Sequence, residues 1–178
     1  MKNILKIKDK EFIISIHEKQ IQEAIIRISS QINNDLKGRN PLFIAVLNGA
    51  FIFAADILKN VDVECEVSFV KLSSYSGTAT TGQVKTLIGL NENIKNRTVV
   101  ILEDIVDTGI TLETIINSIN HHQPKEIKIA TLLFKPKAYI KNIKLDYIGI
   151  EIPNDFIVGY GLDYDGYGRN LKDIYKVK

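Results

Sequence analysis

An α/β fold built on a mostly parallel sheet is what this sequence predicts, on three observations. Segments with strand character alternate with segments of helical spacing, the order that crossover units require. One segment, TVVILED (98–104), is a continuous apolar run ending in two acids, the look of a central parallel strand. The 178 residues, 45% hydrophobic and 25% charged, match the size and composition of one globular domain. No repeat, low-complexity tract or linker divides them, so residues 1–178 are expected to form a single unit.

Taken in order, MKNILKIKDKEF breaks its apolar residues with lysines and lacks a signal-peptide core. From Ile16 to Ile32, the positions Ile21, Ala24, Ile25, Ile28 and Ile32 recur at three- and four-residue spacing, one face of an amphipathic helix. Pro41 opens LFIAVL (42–47), a buried strand that breaks at Asn48-Gly49, and AFIFAADILKN (50–60) has the length of a helix. Val63, Cys65, Val67 and Phe69 alternate with polar residues, as in a strand with one wet face. SSYSGTATTGQ (73–83) has almost no apolar content and predicts a long mobile connection of the kind that carries function. VKTLIGL (84–90) resumes as a strand, and ITLETIINSIN (110–120) is helical through Leu112, Ile115, Ile116 and Ile119. EIKIATLLF (126–134), LDYIGIEI (145–152) and FIVGYGLDY (156–164) read as three further strands, the final stretch forming a smaller appendage.

Composition excludes several functions. Lys+Arg number 23 against 21 Asp+Glu, a net charge of +2 with no basic block, which argues against a nucleic-acid partner. No apolar run approaches the ~18–20 residues of a membrane span. The single cysteine, Cys65, cannot form an internal disulfide and predicts a cytoplasmic setting, with the thiol as a small hydrophobe. His17, His121 and His122 have no Cys or acid at metal spacing. Gly159-x-Gly161 resembles part of a dinucleotide fingerprint, but no helical pattern follows it.

The chemistry concentrates after strand 98–102. Glu103-Asp104 and Ile105-Val106 lead into Asp107-Thr108-Gly109-Ile110-Thr111, where a helix begins. Open α/β sheets bind ligands at this end of their strands. Gly109 permits close backbone approach, Thr108 and Thr111 offer hydroxyls, and the helix start adds N–H groups and a positive dipole end, so the loop suits an anion. Asp107 would repel a phosphate and should project toward another part of the ligand. Glu103 and Asp104 accept only when ionised, which suits sugar hydroxyls or hydrated Mg²⁺.

VVILEDIVDTGIT (99–111) resembles, at all thirteen positions, the phosphoribosyl-pyrophosphate signature of the type I phosphoribosyltransferases. Asp107 is the form seen in the 6-oxopurine members. LNG (47–49), SSYSG (73–77), LLFK (132–135) and FIVGYGLDYDGYGR (156–169) fall in the family's order along most of the chain. The resemblance implies the family's sheet with a small hood and a mobile lid loop. It also implies transfer of the 5-phosphoribosyl group from Mg²⁺-bound phosphoribosyl pyrophosphate to N9 of hypoxanthine, and of guanine. By matched position, Glu103 and Asp104 hold the ribose hydroxyls, directly or through Mg²⁺, and Asp107, Thr108, Gly109, Ile110 and Thr111 hold the 5′-phosphate. Asp107 is the general base at N7. Lys135 donates to the exocyclic oxygen, Phe156 stacks on the purine, and the Ile157 backbone bonds its edge. Asp163, grouped with the purine-binding segment, contributes to the Mg²⁺ site or its water shell. Leu47, Asn48, Gly49 and Arg169 bind pyrophosphate, and Ser74 and Tyr75 belong to the lid. Asn48 stands where relatives often carry Lys, which implies weaker pyrophosphate binding. A cis peptide in that loop, a homodimer or homotetramer, and no membrane partner complete the expectation. The alternative is a non-catalytic ligand sensor on the same fold. The Asp-Thr-Gly triplet of aspartic proteases is excluded by the helical pattern behind it.

Overall fold

The computed structural model describes residues 4–73, 85–88 and 92–178. In chain order, β1 (Ile4–Ile7) and β2 (Lys10–Ile16) precede α1 (Glu18–Asp35), β3 (Leu42–Leu47), α2 (Phe51–Asn60), β4 (Glu66–Ser73) and β5 (Lys85–Ile88). Next come β6 (Thr98–Val106), α3 (Ile110–Asn120), β7 (Glu126–Phe134), β8 (Tyr147–Glu151), β9 (Ile157–Val158) and β10 (Ile174–Val177).

The main sheet has the order β5-β4-β3-β6-β7-β8. Its five strands from β4 to β8 are parallel, and β5 closes one edge antiparallel to β4. LFIAVL is apolar throughout because helices cover both faces of β3. On one side α1 and α2 bring Ile21, Ile25, Ile28, Phe53 and Ile57 against Phe43, Val100 and Leu102. On the other, α3 brings Leu112, Ile115 and Ile119 against Ile44, Val99 and Ile101. Each such side chain contributes about 1.5–3 kcal/mol by leaving water. No helix among the described residues is long and apolar enough to cross a membrane.

A second, antiparallel sheet, β1-β2-β10-β9, forms the expected appendage. It draws its strands from both ends of the described chain and packs on Ile7, Phe12 and Val158.

Three expectations need correction. The alternating strand over 63–69 begins instead at Glu66 and runs to Ser73, in register with β3. The strand over 156–164 is only Ile157–Val158, because Gly159, Tyr160 and Gly161 have φ of 111°, 49° and 99°, which no strand tolerates. The first helix starts at Glu18; Ile16 belongs to β2, and the His17 N–H is held by Gln20 Oε1 at 3.1 Å.

Candidate active site

The central strand delivers its acids to the carboxyl edge of the sheet and the chain turns at once into α3. Gly109, with φ of 85°, is the residue before the helix, and its carbonyl accepts from the Glu113 N–H at 3.0 Å. A side chain at this position would be strained and would meet the Tyr139 ring. Tyr139 is itself fixed by donating to the Ile143 carbonyl at 2.7 Å, and the Ile140 N–H bonds the Thr108 carbonyl at 3.2 Å. The loop thus backs onto the segment after β7. A cavity of about 230 Å³ opens here, lined by Glu103, Asp104, Asp107, Thr108, Gly109 and Thr111 among others. Loop glycine, hydroxyls and a helix start around one small cavity form an anion cradle.

Glu103 is 7% exposed and its Oε2 makes no hydrogen bond within the described structure. Burial first, and the charge of Asp104 second, push its carboxyl well above the ordinary range. Burial also pushes Asp104 up, to about 6, although hydrogen bonds from the Ile105 N–H (3.0 Å) and its own backbone, together with the charge of Arg169, pull the other way. Two adjacent carboxylates, one with an unused buried oxygen, call for a cation or for hydroxyl donors. Among the described residues no three His, Cys, Asp or Glu side chains converge to cage a metal. The Glu103–Asp104 pair suits Mg²⁺, which keeps several waters and takes one or two carboxylates plus phosphate oxygens.

The turn after β3 contains a cis peptide between Leu47 and Asn48. Gly49 follows, and a Cβ there would overlap the Asp104 carboxylate. Gly161 approaches from the opposite side, so that a Cβ on it would overlap the Gly49 carbonyl. Arg169 donates to the Gly161 carbonyl at 2.6 Å and pairs with Asp163, also at 2.6 Å. Asp163 accepts in addition from the Gly166 N–H at 2.6 Å. Asp104, Gly49, Gly161, Arg169 and Asp163 are therefore one contiguous row, although the sequence separates them by up to 120 positions.

Lys135 is 8% exposed rather than solvated, and its Nζ lies 3.0 Å from Asp107 Oδ2. The Lys135 N–H bonds the Val106 carbonyl at 3.0 Å, which brings the end of β7 beside the loop. Phe156, 47% exposed, directly precedes the buried Ile157 of β9 in the small sheet, and its carbonyl accepts from the Val177 N–H at 3.0 Å. Ser74 and Tyr75 lie outside the described residues. Sequence reasoning missed Tyr139 and Gly161. A lone tyrosine carries no signal; the glycine spacing of Gly159-Tyr160-Gly161 could have signalled a turn where a strand was expected.

An acid pair at the end of a central parallel strand, running directly into an anion cradle, is the arrangement of an enzyme that holds a phosphorylated sugar at a sheet edge. Comparison with known proteins makes this specific. Residues 15–165 match the phosphoribosyl transferase domain. The chain is 38% identical over 166 residues to the hypoxanthine-guanine phosphoribosyltransferase of Bacillus subtilis, covering 93% of this chain and 92% of that protein. It is 42% identical over 159 residues to the bifunctional protein TilS/HprT of Listeria monocytogenes, spanning 89% of this chain but only 24% of that longer protein. The crystal structure of a Bacillus anthracis hypoxanthine-guanine phosphoribosyltransferase superposes with a TM-score of 0.87 at 39% identity, covering 97% of this chain and 100% of that one. The chain belongs to the phosphoribosyltransferase family, in its hypoxanthine-guanine branch.

Proposed function

We propose that this chain, acting as one domain over residues 1–178, transfers the 5-phosphoribosyl group of phosphoribosyl pyrophosphate to N9 of hypoxanthine and guanine, a purine-salvage reaction. The observation that carries this reading is the Lys135–Asp107 pair at the mouth of the anion cradle. A buried ammonium beside an acid-bearing phosphate loop suits a base with a carbonyl oxygen and a transferable ring proton. Adenine offers a 6-amino donor to Lys135, itself only a donor, and is rejected.

In this reading the loop from Asp107 to Thr111, including Thr108, Gly109 and Ile110, holds the 5′-phosphate. Glu103 and Asp104 accept from the ribose hydroxyls. Leu47, Asn48, Gly49 and Arg169 hold the pyrophosphate, Phe156 stacks on the base, and the Ile157 backbone bonds its edge. N9 forms the bond to the anomeric carbon as the bond to pyrophosphate breaks, and the proton on N7 passes to the Asp107 carboxylate. Such general-base help contributes typically ~10²–10⁴-fold; positioning and charge stabilisation account for more. Glu103 and Asp104 would hold Mg²⁺, with Asp163 in its water shell, and the bound ion would neutralise pyrophosphate charge. Ser74 and Tyr75 are proposed to cover the reacting centre. A homodimer or homotetramer in a reducing cytoplasm completes the proposal.

The test is an assay with Mg²⁺, phosphoribosyl pyrophosphate and, separately, hypoxanthine, guanine, xanthine and adenine. Turnover of hypoxanthine but not adenine, with kcat lowered ~10²–10⁴-fold in Asp107→Asn, is the expected outcome. Binding of phosphoribosyl pyrophosphate without turnover of any base would favour a ligand sensor. Asn48→Lys should tighten pyrophosphate binding; unchanged affinity would remove any role for Asn48 in weakening it.

A further inference from the structure

The turn between β1 and β2 grips the segment that carries the base-stacking ring, one residue after another. Lys8 Nζ pairs with Asp165 Oδ2 at 2.9 Å. The Tyr164 hydroxyl donates to Asp9 Oδ1 at 2.7 Å. Lys10 Nζ stands 4.8 Å from the centroid of the Phe156 ring and 4.5 Å from that of Tyr164. Phe156 and Tyr164 meet edge to face at 5.7 Å, and Phe12 of β2 packs against both, at 6.4 and 6.2 Å. Phe156 nevertheless keeps 47% of its surface exposed, so this network defines which part of the ring is free.

We propose that Lys10 is a positioning residue for the purine site: its ammonium occupies one face of Phe156, locks the ring between β2 and Tyr164, and leaves the opposite face for the 6-oxopurine. The proposal rests on the reading of Phe156 as the stacking ring. An aromatic ring has two faces, and a cation within about 6 Å of the centroid takes one of them through the ring's negative quadrupole. Lys10 therefore does two things. It removes the side-chain freedom that a half-exposed phenyl group would otherwise lose when the base binds, and it closes one stacking face to any ligand. The rings that the Lys10 ammonium faces are Phe156 and Tyr164, so its influence is expected to fall on the base.

The experiment first establishes hypoxanthine turnover by the wild-type protein; failure there sinks the phosphoribosyltransferase reading, not Lys10 in particular. Given turnover, KM for hypoxanthine and KM for phosphoribosyl pyrophosphate are measured separately in Lys10→Met and Lys10→Arg, and again in a Phe156→Leu background. A lost cation–ring contact predicts a rise of about three- to tenfold in hypoxanthine KM for Lys10→Met. Recovery in Lys10→Arg, an unchanged phosphoribosyl-pyrophosphate KM, and no Lys10 effect once Phe156 is leucine are also expected. A hypoxanthine KM that is unchanged or lowered in Lys10→Met overturns the proposal, as does a parallel rise of both KM values.

Discussion

At the scale of single residues, the site places two charged groups where burial works against them. Lys135 accepts burial because Asp107 is its partner at 3.0 Å, while Asp107 itself keeps 45% of its side chain in solvent. Removing the ammonium should therefore spare the fold and strike the chemistry. Lys135→Met is expected to lower kcat/KM for hypoxanthine about ten- to hundredfold, the equivalent of one hydrogen bond from a charged donor. It should also narrow the hypoxanthine-to-adenine ratio; a ratio left intact would mean that selectivity lies elsewhere. Glu103 shows the opposite balance, since its charge is buried with an oxygen left unpartnered. Glu103→Gln removes a desolvated charge and should stabilise the ligand-free, metal-free protein by about 1–3 kcal/mol while lowering turnover. Urea unfolding with a chelator present measures the first effect, and a destabilised variant would show that the carboxylate has a structural partner.

Between elements, the turn after β3 is wedged between the Asp104 carboxylate at the end of β6 and the turn at 159–161, leaving no room for a Cβ on Gly49 or Gly161. Gly161 has φ of 99° and its α-carbon faces the Gly49 carbonyl, a rigid neighbour. Gly161→Ala combines a strained conformation with a backbone collision and should cost about 2 kcal/mol or more. A variant with unchanged melting temperature would mean that this junction yields easily. The contact between α1, α2 and the segment after β9 is polar instead. Tyr160, 3% exposed, donates its hydroxyl to Asp56, which also accepts from Gln22 and pairs with Lys59. Burial alone would raise the Asp56 carboxyl, but the hydrogen bonds from Lys59, Tyr160 and Gln22 outweigh it and hold the group below the ordinary range. A folded-state pKa below the unfolded value means that ionised Asp56 stabilises the fold at neutral pH. That stability is complete above the unfolded pKa of about 3.9 and is lost as pH falls through the lower folded value. Wild type should exceed Asp56→Asn by a constant margin between about pH 5 and 8, and the gap should close below about pH 4. A margin that grows with acidification would reverse the sign of the argument.

Across the whole molecule, what could be read from sequence was what is local. LFIAVL, ITLETIINSIN and EIKIATLLF match β3, α3 and β7 residue for residue, because continuous burial or a single helical face imposes an unbroken pattern. The loop from Glu103 to Thr111 was equally legible, being contiguous. The small sheet was not. The adjacent Ile13-Ile14 in β2 breaks its alternation, and the four-residue ILKI and IYKV are too short to stand out. The row joining Asp104, Gly49, Gly161 and Arg169 was invisible as contact, since only the fold brings those positions together. On the proposed reading the architecture divides the labour: the main sheet carries the anion cradle and the acids, and the small sheet supports the ring proposed to stack on the base. β10 joins the platform to β2, pairing Lys176 with Ile157 and Tyr175 with Val158 while the Val177 N–H reaches the Phe156 carbonyl at 3.0 Å. Val177→Pro deletes that donor alone among backbone groups and leaves every residue of the main sheet in place. Hypoxanthine KM should rise about two- to tenfold, the equivalent of one backbone hydrogen bond. The dissociation constant for Mg²⁺–phosphoribosyl pyrophosphate, measured by calorimetry, should stay where it is. If both ligands weaken together, the two sheets are one cooperative site and the division of labour is wrong; if only the base weakens, β10 acts on Phe156 alone, through a strand more than sixty positions away from the loop at 107–111.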